Sequence, residues 1–253
     1  MTKTIAFHLQ KGGVGKTTIS GTLACQSALS GIPTLLVDLD PQGNASSWFL
    51  SKTPRWELSD VVQGKCYASD AIVSVEQVPN LYILPTFGIG GTLKLYSETK
   101  LADEPFVIQD LIHEFKGKFQ HVILDLSPGL GRLERSALIA SDEVITPMTP
   151  EAFSLDGLEI FIDELNRLKK NFRAAVIHEK VVINSYDDRI RQHRDIYEAA
   201  SKGNFRIYQI PVDPVFRKSQ DKNVAPQLFK ENGKGLKEKT KLTFEEMESE
   251  IWR

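Results

Sequence analysis

Apolar and polar positions along the chain alternate between two patterns. Short unbroken apolar runs occupy residues 4–9, 34–38, 81–84, 121–125, 143–146, 180–184 and 206–210. Their length predicts strands, and their lack of polar alternation predicts parallel strands covered on both faces. Stretches with helical spacing lie between them. Residues 16–30 are rich in small side chains and stop before Gly31, which suits the left-handed position after a helix. In residues 154–169, Leu155, Leu158, Ile162, Leu165 and Leu168 share one face. A last helix is predicted over 242–252, after a Lys/Glu/Gly loop at 231–241. Residues 44–120 are less regular and read as helices and loops flanking the sheet. The alternation predicts an α/β fold: a doubly wound, mostly parallel sheet with helices on both faces. No repeat, linker or composition break divides the chain, so residues 1–253 are expected to form one domain.

Composition adds location and a charge pattern. The 253 residues are 41% hydrophobic and 25% charged, as in ordinary soluble proteins. No apolar run approaches the roughly 20 residues that cross a bilayer. The first residues lack the layout of a signal peptide, and Cys25 and Cys66 form no C-x-x-C pair. A cytoplasmic protein with reduced thiols is expected. The net charge of −2 argues against a dedicated nucleic-acid binder, but its distribution is uneven. Residues 1–164 carry 12 Lys/Arg and 20 Asp/Glu, whereas residues 165–241 carry 18 and 9. The last twelve residues carry 1 and 4. A basic surface on the C-terminal half follows.

The candidate chemistry begins at "HLQKGGVGKTT", His8 to Thr18. It follows the first strand and opens the first helix, where a phosphate-binding loop belongs. The ordinary pattern G-x-x-x-x-G-K-[ST] fits Gly15-Lys16-Thr17, but its first glycine position holds Gln10, and Lys11 follows. Gly12, Gly13, Val14 and Gly15 can turn backbone N–H groups inward. Lys16 is expected on the β/γ-phosphates, Thr17 on Mg²⁺ and Thr18 on the α-phosphate. A metal-phosphate site also needs a carboxylate at a strand end, and "HVILDLSPGLG" supplies Asp125. In "LLVDLDPQGNASS", Asp38 and Asp40 stand at alternate positions and can point to one side. Asp40 is taken for the metal shell and the attacking water, with Asp38 as the alternative.

Together these residues resemble the deviant-Walker partition ATPases, the ParA family within the ParA/MinD group. Its loop K-G-G-x-G-K-[ST]-T matches Lys11 to Thr18 at every fixed position. "DPQGNAS" from Asp40, "TPEAFSLDGL" from Thr149 and "PVDPVFRKSQ" from Pro211 extend the likeness over most of the chain. Where the family usually has Thr-Pro-Pro after the strand-end aspartate, this chain has Leu126-Ser127-Pro128. No N-terminal helix-turn-helix precedes the loop, so operator binding is not expected. The resemblance implies ATP and Mg²⁺ as cofactors, and catalysis by Lys11, Lys16 and Asp40. It gives the extra lysine a purpose: Lys11 reaches the phosphates of a partner subunit, as an arginine finger completes a site from outside. It also implies adenine contacts from Asn184 and, in the Pro211–Arg217 loop, from Pro211 and Asp213.

Three uses of ATP compete. A DNA-partitioning ATPase would bind DNA non-specifically as an ATP dimer, and a ParB-like centromere-binding adaptor would stimulate its hydrolysis. A MinD-like ATPase would position itself on a membrane. A metal-cluster or metabolic enzyme would need cysteines that this chain lacks. The membrane reading expects a basic amphipathic tail, yet "LTFEEMESEIWR" is mostly acidic and reads as a helix docked on the body. The basic half favours DNA, with Arg189, Arg191, Arg194, Arg217 and Lys218 as candidate phosphate contacts. A nucleoid-associated homodimer with no membrane contact is therefore expected.

Overall fold

The computed structural model describes residues 2–101 and 104–252. Among the described residues eight strands form one sheet: β1 (Lys3–Phe7), β2 (Thr34–Leu39), β3 (Val73–Ser74), β4 (Leu81–Leu84), β5 (His121–Leu126), β6 (Glu143–Met148), β7 (Ile177–Tyr186) and β8 (Arg206–Pro211). The spatial order is β3-β4-β2-β5-β1-β6-β7-β8. All pairings are parallel except β3 with β4. Every residue of β2, β5 and β6 is buried, which is why these runs show no polar alternation.

The helices cover both faces, as α/β alternation demands. The first six are α1 (Lys16–Leu29), α2 (Asn44–Phe49), α3 (Leu58–Val62), α4 (Ala68–Ala71), α5 (Leu93–Thr99) and α6 (Val107–Glu114). The remainder are α7 (Arg132–Ala140), α8 (Ala152–Phe172), α9 (Arg191–Ala200), α10 (Pro214–Asp221) and α11 (Glu238–Ile251). Alternate strand residues feed two cores. Ile5, Phe7, Leu36 and Ile123 pack with Leu23, Trp48 and Phe244. Ala6, Val37, Val122 and Leu124 pack with Leu138, Phe161 and Ile196 on the other face.

The doubly wound prediction holds, with three adjustments. Strand β3 was not foreseen, being two residues whose pairing is decided by the edge of β4. Helix α8 starts at Ala152 and ends at Phe172, beyond the predicted 154–169 at both ends. Helix α11 begins at Glu238, within the predicted loop, because the Asp213 carboxylate accepts from Lys237 N and Thr240 Oγ1, each at 2.8 Å. Topology also places the site. The chain leaves β1, forms β2 two positions away, and returns later to insert β5 between them. The crevice at such a switch point, beyond the carboxyl ends of the strands, is where α/β sheets bind ligands.

Candidate functional site

The loop from β1 to α1 turns through left-handed Gly13 (φ 75°) and Gly15 (φ 94°). Gly15 is also needed for space, since a Cβ there would lie 2.4 Å from Asn184 Nδ2. Helix α1 has no side-chain N-cap, so its first N–H groups remain available to an anion. Lys16 is buried and curls over the loop, donating to Lys11 O at 2.9 Å and Leu9 O at 3.3 Å. Burial lowers its pKa, against the pull of Asp125, Asp40 and Glu134. Lys11 instead leaves the loop for the start of α8, meeting Glu151 Oε2 at 2.6 Å and Ser154 Oγ at 3.1 Å.

Strand pairing aligns the acids. Phe7 and Asp38 both pair with Asp125, across β1, β5 and β2. Asp125 is fully buried; Oδ1 accepts from Ser20 Oγ at 3.0 Å, and Oδ2 has no hydrogen-bond partner. Burial pushes its pKa up to about 7, opposed by the Thr17 and Ser20 hydroxyls. An orphaned carboxylate oxygen beside those hydroxyls suits a hard divalent cation or the water it carries. No cluster of three His, Cys, Asp or Glu residues that could hold a metal occurs among the described residues. Magnesium in a nucleotide site needs none, because phosphate oxygens and water complete its shell.

Asp38 and Asp40 have separate surroundings. Asp38 is fully buried and accepts from Ser46 N at 2.8 Å, Ser46 Oγ at 2.6 Å and Asp40 N at 3.2 Å. Burial, then the neighbouring Asp125, pushes its pKa up to about 8. Asp40 accepts from Gln42 N at 2.9 Å and lines a cavity of about 580 Å³ with Gln42, Ser127, Gly131 and Glu134. Buried Glu134 accepts from Gly131 N at 2.8 Å and from the Ser127 hydroxyl, bracing the loop after β5. Sequence reading missed Ser20, Ser46, Thr86 and Glu134. Ser20 follows Thr17 by one helical turn and Ser46 lies inside "DPQGNAS", so those two left a signal.

The expected base contacts lie at the neighbouring strand ends. Asn184 braces the loop, donating to Val14 O at 3.1 Å while Oδ1 accepts from Ser185 N at 2.9 Å. Pro211 ends β8, and Asp213 caps α10 by accepting from Val215 N at 3.1 Å. With Lys237 N and Thr240 also on it, the Asp213 carboxylate is committed to joining α10 to α11.

The basic candidates are exposed on two helices and the turn before α9. Arg189 grips Asp187 with bonds of 2.9 and 2.6 Å, and Arg191 lies 3.8 Å from Asp195. Arg194 donates to Asp188 O at 2.6 Å, and Lys218 pairs with Glu231. Arg217 has no acidic partner among the described residues. The acidic tail is docked as predicted: Phe244, Met247 and Ile251 of α11 are buried against α1 and β8. No helix among the described residues is long and apolar enough to cross a membrane.

Known proteins share this fold. Residues 2–178 match the AAA domain family. Uncharacterized protein BBD21 of Borreliella burgdorferi is 36% identical over 222 residues, covering 86% of this chain and 88% of that protein. The chromosome-partitioning ATPase Soj of Treponema pallidum is 32% identical over 198 residues, covering 78% and 76%. A putative plasmid partition protein from Borrelia burgdorferi B31, solved with AMPPNP, superposes with TM-score 0.81 at 24% identity over 100% of this chain and 98% of that one. The septum site-determining protein MinD from Pyrococcus horikoshii, complexed with Mg-ADP, gives TM-score 0.80 at 25% identity over 99% and 96%. The chain belongs to the ParA/Soj family of partition ATPases.

Proposed function

We propose that this ATPase partitions DNA. Its ATP-bound dimer binds duplex DNA without sequence preference and lets go after hydrolysis, which a ParB-like adaptor stimulates. The observation that carries the reading is the division of labour between two lysines: Lys16 lies over its own phosphate loop, while Lys11 reaches out of it to Glu151. A lysine that exchanges the exposed Glu151 for phosphate can serve a second subunit, where it would offset the repulsion between two facing γ-phosphates.

ATP and Mg²⁺ are the cofactors. The loop N–H groups of Gly12, Gly13, Val14 and Gly15 hold phosphate, Lys16 neutralises it and Thr18 donates to it. Thr17, Asp125 and Asp40 fit the magnesium shell, and the metal supplies charge neutralisation of the phosphates. Asp40 orients the attacking water from the cavity wall. Asn184, Pro211 and Asp213 frame the base. Arg189, Arg191, Arg217 and Lys218 meet DNA phosphates, which release the first two and Lys218 from their acidic partners.

The alternative is a MinD-like membrane ATPase. Against it, the apolar stripe of α11 is buried in the body and its outer face is acidic, so anionic lipid would repel it. Co-sedimentation separates the two readings, with duplex on beads and anionic vesicles as rival surfaces. Capture by duplex with ATP, but not with ADP, is expected. Capture by vesicles and not by duplex would transfer the protein to the membrane-positioning class.

A further inference from the structure

Helix α10 touches features that the proposed function leaves unconnected. It starts on Asp213, exposes Arg217 and Lys218 midway, and near its end Gln220 Nε2 donates to Thr18 Oγ1 at 3.1 Å. The following segment is stitched to the nucleotide-side helices as well. Trp48 Nε1 of α2 donates to Val224 O at 3.0 Å, and Gln227 Nε2 donates to Thr22 O of α1 at 2.8 Å. Gln220, Asp221 and Asn223 share a cleft of about 330 Å³ with Thr17, Asn44 and Ser47. The helix that shows Arg217 to solvent thus ends directly on the first turn of α1.

The chemistry of the Gln220 bond is directional. A hydroxyl has one proton and two lone pairs, and the Gln220 amide occupies a lone pair of Thr18. The single Thr18 proton is then left to point at an acceptor in the phosphate loop. A phosphate accepting that proton polarises the hydroxyl and strengthens the bond from Gln220 behind it.

We propose that Gln220 is a positioning residue: it orients the Thr18 hydroxyl toward bound nucleotide and so makes the order of α10 depend on nucleotide. The inference rests on the nucleotide-binding reading of the phosphate loop. It adds a route from that loop to the helix carrying Arg217 and Lys218, within one subunit and independent of dimerisation. The coupling is reciprocal, so whatever steadies α10 raises nucleotide affinity.

Amide hydrogen exchange of the full chain, with and without ADP, tests this. ADP is chosen because, on the proposed function, it does not drive dimerisation. The variants are Gln220→Ala and Gln220→Met; methionine keeps the side chain's length but has no donor. In the wild type, ADP should slow exchange in residues 12–18 and in residues 214–221. Both variants should keep the protection of 12–18, bind ADP about fivefold more weakly, and lose the ADP-dependent protection of 214–221. Protection of 214–221 retained in the variants, or absent from a wild type protected at 12–18, overturns the coupling. Wild-type behaviour of Gln220→Met beside a defective Gln220→Ala overturns it too, by assigning the effect to packing. A wild type that shows no ADP protection at 12–18 and no ADP affinity overturns the nucleotide reading itself, and the coupling with it.

Discussion

Asp38 and Asp40 are two residues apart, yet their surroundings assign them different work. Asp38 is spent on Ser46 and on the backbone of Asp40, so it shapes the loop. Asp40 faces the cavity that it lines with Ser127, Gly131 and Glu134, and is the group able to meet a water. Asp40→Ala should therefore keep ATP binding and the dimer while hydrolysis falls by roughly 10²–10⁴, the usual worth of a general base. A wild-type steady-state rate in that variant would move the role to Asp38. Lys11→Ala should bind ATP almost normally, since the proposed function has Lys16 hold the phosphates of its own subunit. It should lose ATP-dependent dimers in sedimentation velocity, and turnover with them; normal dimers and normal turnover would remove the argument for a lysine acting across subunits. At this scale the sequence was informative where a residue type is itself phosphate chemistry: glycines, lysines and strand-end aspartates. It was mute about Thr86, whose partner Ser46 lies 40 residues away.

Among the elements, the loops after β2 and β4 work as one. Thr86 N donates to Ser46 Oγ at 2.8 Å, and Thr86 Oγ1 donates to Asp38 O at 2.6 Å. Gly43 and Gly88, both at positive φ, let the two backbones meet; a Cβ on Gly88 would lie 2.5 Å from Gln42 O. Gly88→Ala should cost about 1–3 kcal/mol through strain and push the Asp40–Gly43 turn out of place. Thermal melts and turnover should fall together, and an unchanged pair of values would show that the contact is slack. Long apolar strands such as β2 and β5 were legible because burial on both faces leaves nothing else for such runs to do. The register that sets Asp38 opposite Asp125 was not, because it is decided between strands more than 80 residues apart in sequence. The early start of α11 was hidden for the same reason, being held by Asp213 from another part of the chain.

The whole molecule holds three histidines neutral by burial. His8 is pushed down to about 3, and His121 and His178 to about 4, with Lys16, Lys3 and Lys169 respectively adding to the effect. Unfolded histidines take up protons near pH 6.5, so below that pH these three side chains bind more protons in the unfolded chain than in the folded one, while buried Asp38 and Asp125, raised to about 8 and 7, act in the opposite direction. The histidine contribution to stability should be fully present above pH 6.5 and fall as pH drops toward the folded values, by up to about 1.4 kcal/mol per pH unit for each histidine. NMR titration of the folded chain from pH 7.5 to 4.5 should show no protonation midpoint above pH 5 for these three imidazoles; a midpoint near pH 6.5 for any of them would contradict its buried neutral state. The same scale carries the central functional claim, that ATP turns weak basic patches into one DNA-binding surface. Its most direct measurement is duplex affinity against salt, with ATP and with ADP. When Z phosphates are neutralised, log K falls with log salt at a slope of about −0.9Z. With ATP the slope should be roughly twice that with ADP and the same for unrelated duplexes, and Arg217→Ala should reduce it by about 2, one contact from each subunit. Equal affinities and equal slopes with the two nucleotides would contradict ATP-gated DNA binding.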